Sequence, residues 1–469
     1  MPLTVHDLML LVKRRLFGDW RYVADHKMWA QFESDGWHKR EDCYAQQLVQ
    51  MDIMAVLAQS IPDVELIKVG ERAKMLSVRT RNDAVNYISH QPDVLTMGRH
   101  WNAHATLRGV PNGIVDIASG TLRSADRVVY IDRRLGMAPR AMPTPRWDMF
   151  MEALCSERSA EGDAWLARPL WQDFLQRYFG MCLGIGTRDH RFLAMVGRGR
   201  NGKSVFAGMM YRAFNEYADV LPESAISKKG TPAGRSKVEH ALLCLVHEPS
   251  RNVPLDEGFI KSVTGGDRVS IRELYQEPRT VTPHANLLFI ANSPPTFQDQ
   301  AMVARMVLMQ CLREIPEAEQ NKYLEQEVWE AEGAGIMQWL LDGYALWAED
   351  GLRVPPENTA AVQEMRDEGD LLLQWINDRC VVDVHVSTRE NDLYANFTDY
   401  CEGNNVRPWR RPWFRRELRQ HDQRWNPWRS HRGADRRAGM ANVWMVTGLR
   451  LRADAEVGTE EDYEHAANS

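Results

Sequence analysis

The stretch Gly197-Arg198-Gly199-Arg200-Asn201-Gly202-Lys203-Ser204 constrains the fold of this chain more than any other. It fits the pattern G-x-x-x-x-G-K-[ST], follows the apolar run Phe192 to Val196, and leads into a helix-like stretch that ends near Tyr217. Strand, glycine-rich turn and helix in that order make a cradle for phosphate, because backbone N–H groups of the turn and the positive end of the helix point at one anion. In such a cradle Lys203 reaches the β- and γ-phosphates of ATP and the Ser204 hydroxyl coordinates Mg²⁺, with Val205 completing the nucleotide-binding set. The competing reading is a surface turn that matches by accident. At average residue usage that is expected about once or twice in a hundred chains of this length. The strand before and the helix after lower that figure, and nucleotide binding is the reading adopted.

A length of 469 residues predicts about three domains. The 44% hydrophobic and 26% charged content is that of an ordinary globular chain, and no apolar run approaches the length of a bilayer span. Asp7 interrupts the first apolar stretch, and Lys13, Arg14 and Arg15 follow it instead of preceding it. That order argues against a secretory leader and sets a cytoplasmic expectation, with no membrane partner. The seven cysteines are scattered, with no C-x-x-C pair, so neither a disulfide framework nor a zinc site is expected. A net charge of -6 means that any nucleic-acid contact comes from local patches.

Residues 1–105 mix helical spacing (Asp42 to Gln59) with strand-like pieces at Arg21 to Val23 and Lys27 to Phe32, which predicts a small α+β domain. Trp20, Trp29 and Trp37 are read as core or half-buried strand residues instead of a base-stacking platform. Turn signals at Pro111-Asn112-Gly113 and Ser119-Gly120 predict a hairpin or meander over 106–132. The helical spacing from Trp147 to Met181 then predicts a collar, so 106–180 is read as hairpin plus helical collar. From 181 to 355 strand-like and helix-like pieces alternate, including Phe192 to Val196, Leu242 to Val246, Phe259 to Val263 and Leu287 to Ala291, then helices from Glu317 to Trp347. Such alternation predicts an α/β domain with a mainly parallel sheet. Pro355-Pro356 and the charged stretch Glu364 to Asp370 read as a linker. Three helical pieces (Leu371 to Asp378, Asp392 to Cys401, Pro412 to Gln420) and the strand Val443 to Thr447 predict a C-terminal winged helix over 371–453, ahead of an acidic tail, 454–469.

Two strand tips add chemistry. Leu242 to Val246 ends at His247-Glu248, where a carboxylate orients Mg²⁺ or the attacking water, so Glu248 joins Ser204 as a metal candidate. Leu287 to Ala291 ends at Asn292, which either holds the lytic water and senses the γ-phosphate or only shapes the turn before Pro294-Pro295. Between them Gly265-Gly266-Asp267 favours a tight turn, with hairpin arms around Gln276-Glu277-Pro278-Arg279. In the C-terminal region Arg410, Arg411, Arg415 and Arg416 belong to an arginine-rich, acid-poor stretch from Arg407 to Arg452, interleaved with Trp409, Trp413, Trp425 and Trp428. Guanidinium binds phosphate and indole stacks on bases, which points to nucleic acid. The plainer reading places the tryptophans in a winged-helix core, and Trp413 and Trp444 are assigned there.

Taken in order, the glycine-rich turn, a strand ending in Glu248-Pro249, the K-x-x-T-G-G-D-x-x-x-x-R-x-L-Y run from Lys261 to Tyr275 and the N-x-x-P of Asn292 to Pro295 resemble the superfamily 3 helicase module of phage and plasmid primase-helicases, the poxvirus-like type. The resemblance runs best from Arg191 to Arg305 and more weakly to both sides. It implies an AAA+-like P-loop ATPase that forms a ring, usually a hexamer, translocates on single-stranded or forked DNA and binds ATP between subunits. Carried over by position, it makes Lys203, Glu248, Asn292 and Arg305 catalytic, with Arg305 a finger acting in trans, and puts Lys261, Arg272 and Arg279 among the DNA contacts. Two departures matter: Ala304-Arg305 supplies one arginine where the family usually has a pair, and Gln276-Glu277 stands where the hairpin tip often carries lysine. Residues 1–105 look short for a full primase domain, which implies a separate primase or polymerase partner, in a bacterial host cell if the chain is phage-encoded. The alternative is a DNA-binding initiator or loader in which ATP only controls assembly; a small-molecule kinase would leave the basic stretch unexplained.

Overall fold

Apolar runs without alternation need cover on both faces, and here they form a five-stranded, all-parallel sheet. Its strands are β1 (Phe192–Val196), β2 (Ala218–Val220), β3 (Leu243–His247), β4 (Asn286–Ala291) and β5 (Met306–Gln310). They lie in the order β2-β3-β4-β1-β5, so Val196 at the end of β1 sits between Ala291 of β4 and Gln310 of β5. Every residue of β1 and β4 is buried. Because the strands are parallel, the carboxyl ends of β1, β3 and β4 share one edge, which is where such sheets bind ligands.

This computed structural model describes residues 5–16, 18–40, 44, 47–48, 50–51, 54–55, 77–159, 161, 164–186, 189–228, 230, 234–249, 253–272, 278–295, 297, 299–369, 371–404, 408–412, 414–415, 417–419, 429–435 and 440–452. Most of the helix expected over Asp42 to Gln59, the hairpin tip Gln276-Glu277, Arg407, Trp413, Arg416, Arg424, Trp425, Trp428, Arg436, Arg437 and the tail 454–469 lie outside the described residues. The chain divides into two units, 1–358 and 359–469. No helix among the described residues is long and apolar enough to cross a membrane.

In the first unit the sheet is covered by helices α1 (Pro145–Leu154), α2 (Pro169–Cys182), α3 (Lys203–Phe214) and α6 (Leu324–Asp350). Smaller helices α4 (Glu257–Gly265) and α5 (Gln300–Arg305) flank β4 in the chain. Proline in the first turn of α1 and of α2 fits a position whose N–H has no helical partner. Between them Ser156–Arg158 pairs with Trp165–Ala167, so the stretch from Trp147 to Met181 is two helices joined by a hairpin. Helices α2 and α6 meet through glycine: a Cβ on Gly343 would lie 2.0 Å from the Gln176 carbonyl oxygen, and one on Gly180 2.2 Å from the Gly343 backbone. One core includes Val115, Trp147, Phe174, Leu193, Phe206 and Leu340, joining the meander (Leu107–Val110, Gly113–Asp116, Thr121–Arg123), the helices and the sheet. Phe259 to Val263, one of the alternating pieces, is helical in α4: the Asp256 side chain accepts from the Phe259 N–H at its start, and Gly266 closes it at φ +72°. Toward the N-terminus, strands Gly36–Arg40, Met28–Glu33, Trp20–Val23 and Leu95–Thr96 form a sheet in that order. Trp20, Trp29 and Trp37 are buried in it, which leaves none of them as a stacking platform.

The charged stretch read as a linker is helical as far as Gly369, in α7 (Glu357–Gly369). The second unit contains α8 (Leu371–Arg379), β6 (Cys380–Arg389), α9 (Glu390–Gly403), β7 (Arg429–Asp435) and β8 (Met440–Leu451). Its antiparallel sheet has the order β6-β8-β7, and Leu372, Trp375, Leu393, Phe397, Phe414 and Leu449 are packed in its core. Trp444, assigned to the core, is only half-buried.

Candidate nucleotide site

The turn between β1 and α3 needs glycine for two reasons. Gly202 caps α3 in the left-handed region at φ +80°, and a Cβ on Gly197 would lie 2.4 Å from Asn201 Nδ2 and 2.5 Å from the Cys311 carbonyl oxygen. Arg198, Gly199 and Arg200 form an exposed crest, with Arg200 at φ +64° and its carbonyl accepting from the Ile315 N–H at 2.8 Å. Beneath the crest Asn201 is buried; its Nδ2 donates to the Cys311 carbonyl at 3.0 Å, and its Oδ1 accepts from Lys203 Nζ at 2.8 Å. Lys203 Nζ also donates to the Gly197 carbonyl at 2.6 Å. The lysine is thus folded back onto its own loop. Burial lowers its pKa, with Cys311 and Glu248 acting in the opposite direction. Ser204 is exposed in the first turn of α3, beside Val205.

At the tip of β3, Glu248 adopts φ +40°, sparsely populated for a residue with a side chain. Its N–H donates to the Ile290 carbonyl at 2.8 Å, and its Oε2 accepts from the Asn292 N–H at 3.2 Å. The two strand tips are therefore joined by the acid expected there. The oxygens of Ser204 and Glu248 are the hard donors that Mg²⁺ prefers, so these residues fit the ion.

The motif between these strands folds onto the segment after Asn292. Lys261 Nζ lies 2.9 Å from Asp299 Oδ2, and this hydrogen bond holds the Asp299 carboxyl below the usual carboxylate range. Arg305 Nη1 donates to the Lys261 carbonyl at 2.9 Å and to Thr264 Oγ1 at 3.0 Å. Arg272 is exposed beside the hairpin tip, whereas Arg279 forks onto Glu239, with Nη2 to Oε2 at 2.5 Å. Of the C-terminal arginines, Arg410 is exposed. Arg415 donates to both oxygens of the fully buried Glu390 at 2.8 and 3.0 Å, and Arg411 to one at 3.3 Å. Arg415 and Arg419 also stand over the Trp444 ring, at 4.7 and 5.6 Å from its centroid. Sequence reasoning placed Asn201 in the loop but not its bond to Cys311, and it missed Glu239 and Glu390 as arginine partners; these bonds span 25 to 110 residues, too far for a local pattern to signal. It also missed Glu33, Asp35 and His38, which converge as a metal site would, but Arg134 Nη2 lies 2.9 Å from His38 Nε2 and Arg40 pairs with Glu33, so cations already stand there.

The fold is mixed α/β, with a glycine-rich strand-to-helix turn, an acidic strand tip and an amide strand tip at one sheet edge. Residues 10–180 match the family model described as D5 N terminal like, and residues 195–305 match a family of unknown function, DUF5906. A protein named as a helicase in Acanthamoeba polyphaga mimivirus is 23% identical over 261 residues, half of this chain and 27% of the relative. A second, from Frog virus 3 (isolate Goorha), is 27% identical over 123 residues, 24% of this chain and 13% of the relative. The chain thus spans about a quarter or less of the length of these curated relatives. The apo structure of the NrS-1 C-terminal region shares the fold, with a TM-score of 0.52 at 11% identity, covering 95% of this chain and 99% of that one. Over parts of its length the chain is thus similar to the D5 N terminal like family model and to two viral proteins named as helicases.

Proposed function

We propose that the chain is an ATP-driven helicase of DNA replication, acting as a ring on single-stranded DNA. The observation that carries this reading is the convergence of Lys203, Glu248 and Asn292 on one sheet edge, with β1 between β4 and β5. In this reading the β- and γ-phosphates replace the Gly197 carbonyl and the Asn201 amide oxygen as partners of the Lys203 ammonium. The N–H groups of the turn and the first turn of α3 hold the remaining oxygens. Ser204 and Glu248 would hold Mg²⁺, which supplies charge neutralisation when bound. Glu248 and Asn292 orient the attacking water, and Arg305 of a neighbouring subunit stabilises the transferring phosphoryl group. The exposed Arg410 and Arg272 contact the DNA backbone.

The test is ATP hydrolysis with and without single-stranded DNA. Hydrolysis should rise with DNA, Lys203→Ala should lose nucleotide affinity, and Glu248→Gln should keep nucleotide bound while turnover falls. Wild-type rates in both variants would remove the site assignment.

A further inference from the structure

Helix α4 turns one face toward the segment that follows Asn292. Glu257, Lys261 and Thr264 stand four and three positions apart in it, a spacing that puts side chains on one side of a helix. Each of them bonds to α5 or to the residue just before it. Glu257 Oε2 accepts from the Asp299 N–H at 2.8 Å, and Lys261 Nζ donates to Asp299 Oδ2 at 2.9 Å. The other oxygen of Asp299 caps α5, accepting from the Ala301 N–H at 2.8 Å. At the far end of α5, Arg305 Nη1 reaches the Lys261 carbonyl at 2.9 Å and Thr264 Oγ1 at 3.0 Å. Gly265 leaves the guanidinium room, since a Cβ there would lie 3.2 Å from Nη1. A helix of six residues is not stable by itself, so the contacts at its two ends decide where α5 sits, with Arg305 at its last position.

We propose that Lys261 is a positioning residue for Arg305, acting by pinning Asp299 at the start of α5, and is not a contact for DNA. The inference rests on the reading of Arg305 as the group that stabilises the transferring phosphoryl group. Glu257 and Asp299 bring two carboxylates to one helix start, and the Lys261 ammonium bonds the second of them. A DNA phosphate could take this ammonium only by displacing the carboxylate that caps α5. Asp299 would then face Glu257 without its ammonium. Removing the charge of Lys261 has the same consequence: the two acids repel, the start of α5 shifts, and Arg305 moves with it. A misplacement of about 1 Å costs about 10²-fold in rate.

The experiment measures ATP turnover and single-stranded DNA binding by the full chain and four variants. Lys261→Met keeps the side-chain stem and removes the charge, and Asp299→Asn keeps an oxygen for the α5 cap. Arg305→Ala and the pair of Lys261→Met with Arg305→Ala complete the set. At saturating ATP and DNA, Lys261→Met should lower kcat about tenfold to a hundredfold, with the salt slope of DNA binding unchanged. Asp299→Asn should lower kcat likewise although its lysine is intact. An unchanged KM for ATP in both shows that they are folded. The pair should turn over no more slowly than Arg305→Ala alone, because a residue that acts through Arg305 has nothing left to act on. A salt slope reduced by about 0.7 in Lys261→Met marks a phosphate contact and overturns the proposal. So does wild-type kcat in Lys261→Met, or a pair in which the two losses multiply. Wild-type turnover in Arg305→Ala overturns the reading of Arg305 itself, and the proposal with it.

Discussion

Replacing Arg305 with alanine should produce a modest loss of stability and a large loss of turnover, and the structure fixes the size of the first. The guanidinium gives two hydrogen bonds, to the Lys261 carbonyl and to the fully buried Thr264 hydroxyl. Bonds to charged groups contribute about 1.5–3 kcal/mol each. Both oxygens keep other hydrogen bonds, however: Thr264 Oγ1 donates to the Ile260 carbonyl at 2.9 Å, and the Lys261 carbonyl accepts from the same hydroxyl at 3.2 Å. No oxygen is left orphaned, and the combined cost should be about 1–3 kcal/mol, read as a lowered denaturant midpoint. Turnover should fall by about 10³ to 10⁵ if Arg305 stabilises the transferring phosphoryl group. Thr264→Val separates the two effects, because it removes one bond and keeps the guanidinium; its turnover should fall far less than that of Arg305→Ala. The assay for action in trans mixes Lys203→Ala with Arg305→Ala at equal concentration. Interfaces that pair an intact turn with an intact arginine should restore part of the activity. No recovery, in a mixture shown to contain mixed oligomers, would refute action in trans, and unchanged turnover in Arg305→Ala alone would refute the role altogether.

Two further outcomes follow from the charged pairs. Arg410→Ala should reduce the salt slope of single-stranded DNA binding by about 0.7, the value for one phosphate contact, with no loss of stability. Arg415→Ala should instead destabilise the second unit by about 3 kcal/mol, since Arg411 alone would remain for the buried Glu390, and chemical denaturation distinguishes the two results. His240 is held by burial at a pKa of about 4, below its ordinary 6.5, with Glu239 opposing the shift. Its neutral form is favoured in the folded chain, so the stability it contributes is complete above pH 6.5 and is lost as pH falls from there toward 4. Denaturation across that window should show a drop that His240→Gln reduces.

Local patterns made the nucleotide edge legible. The Gly197 to Ser204 turn and the strands before Glu248 and Asn292 are continuous in sequence, and apolar runs of strand length declare themselves. Short apolar runs do not distinguish strand from helix, so Phe259 to Val263 alone declares neither, and the cap signals at Asp256 and Gly266 are what decide for helix. Strands β6 and β7 were missed because charged and polar residues interrupt their apolar pattern, and α7 because a charged helix beginning after Pro355-Pro356 has the composition of a linker. The partners of the candidate DNA-binding arginines were not legible at all. Arg279 meets Glu239 across 40 residues and Arg415 meets Glu390 across 25, so composition alone counted as available guanidiniums that the fold has already committed.

The measurement that bears most directly on the helicase reading is strand separation of a forked DNA duplex, followed by release of a labelled strand. With ATP and Mg²⁺ the wild-type chain should release the strand, and Lys203→Ala should release none while still binding the fork. Fork binding and ATP hydrolysis with no strand release by the wild type would contradict the helicase reading and leave an initiator or loader in its place.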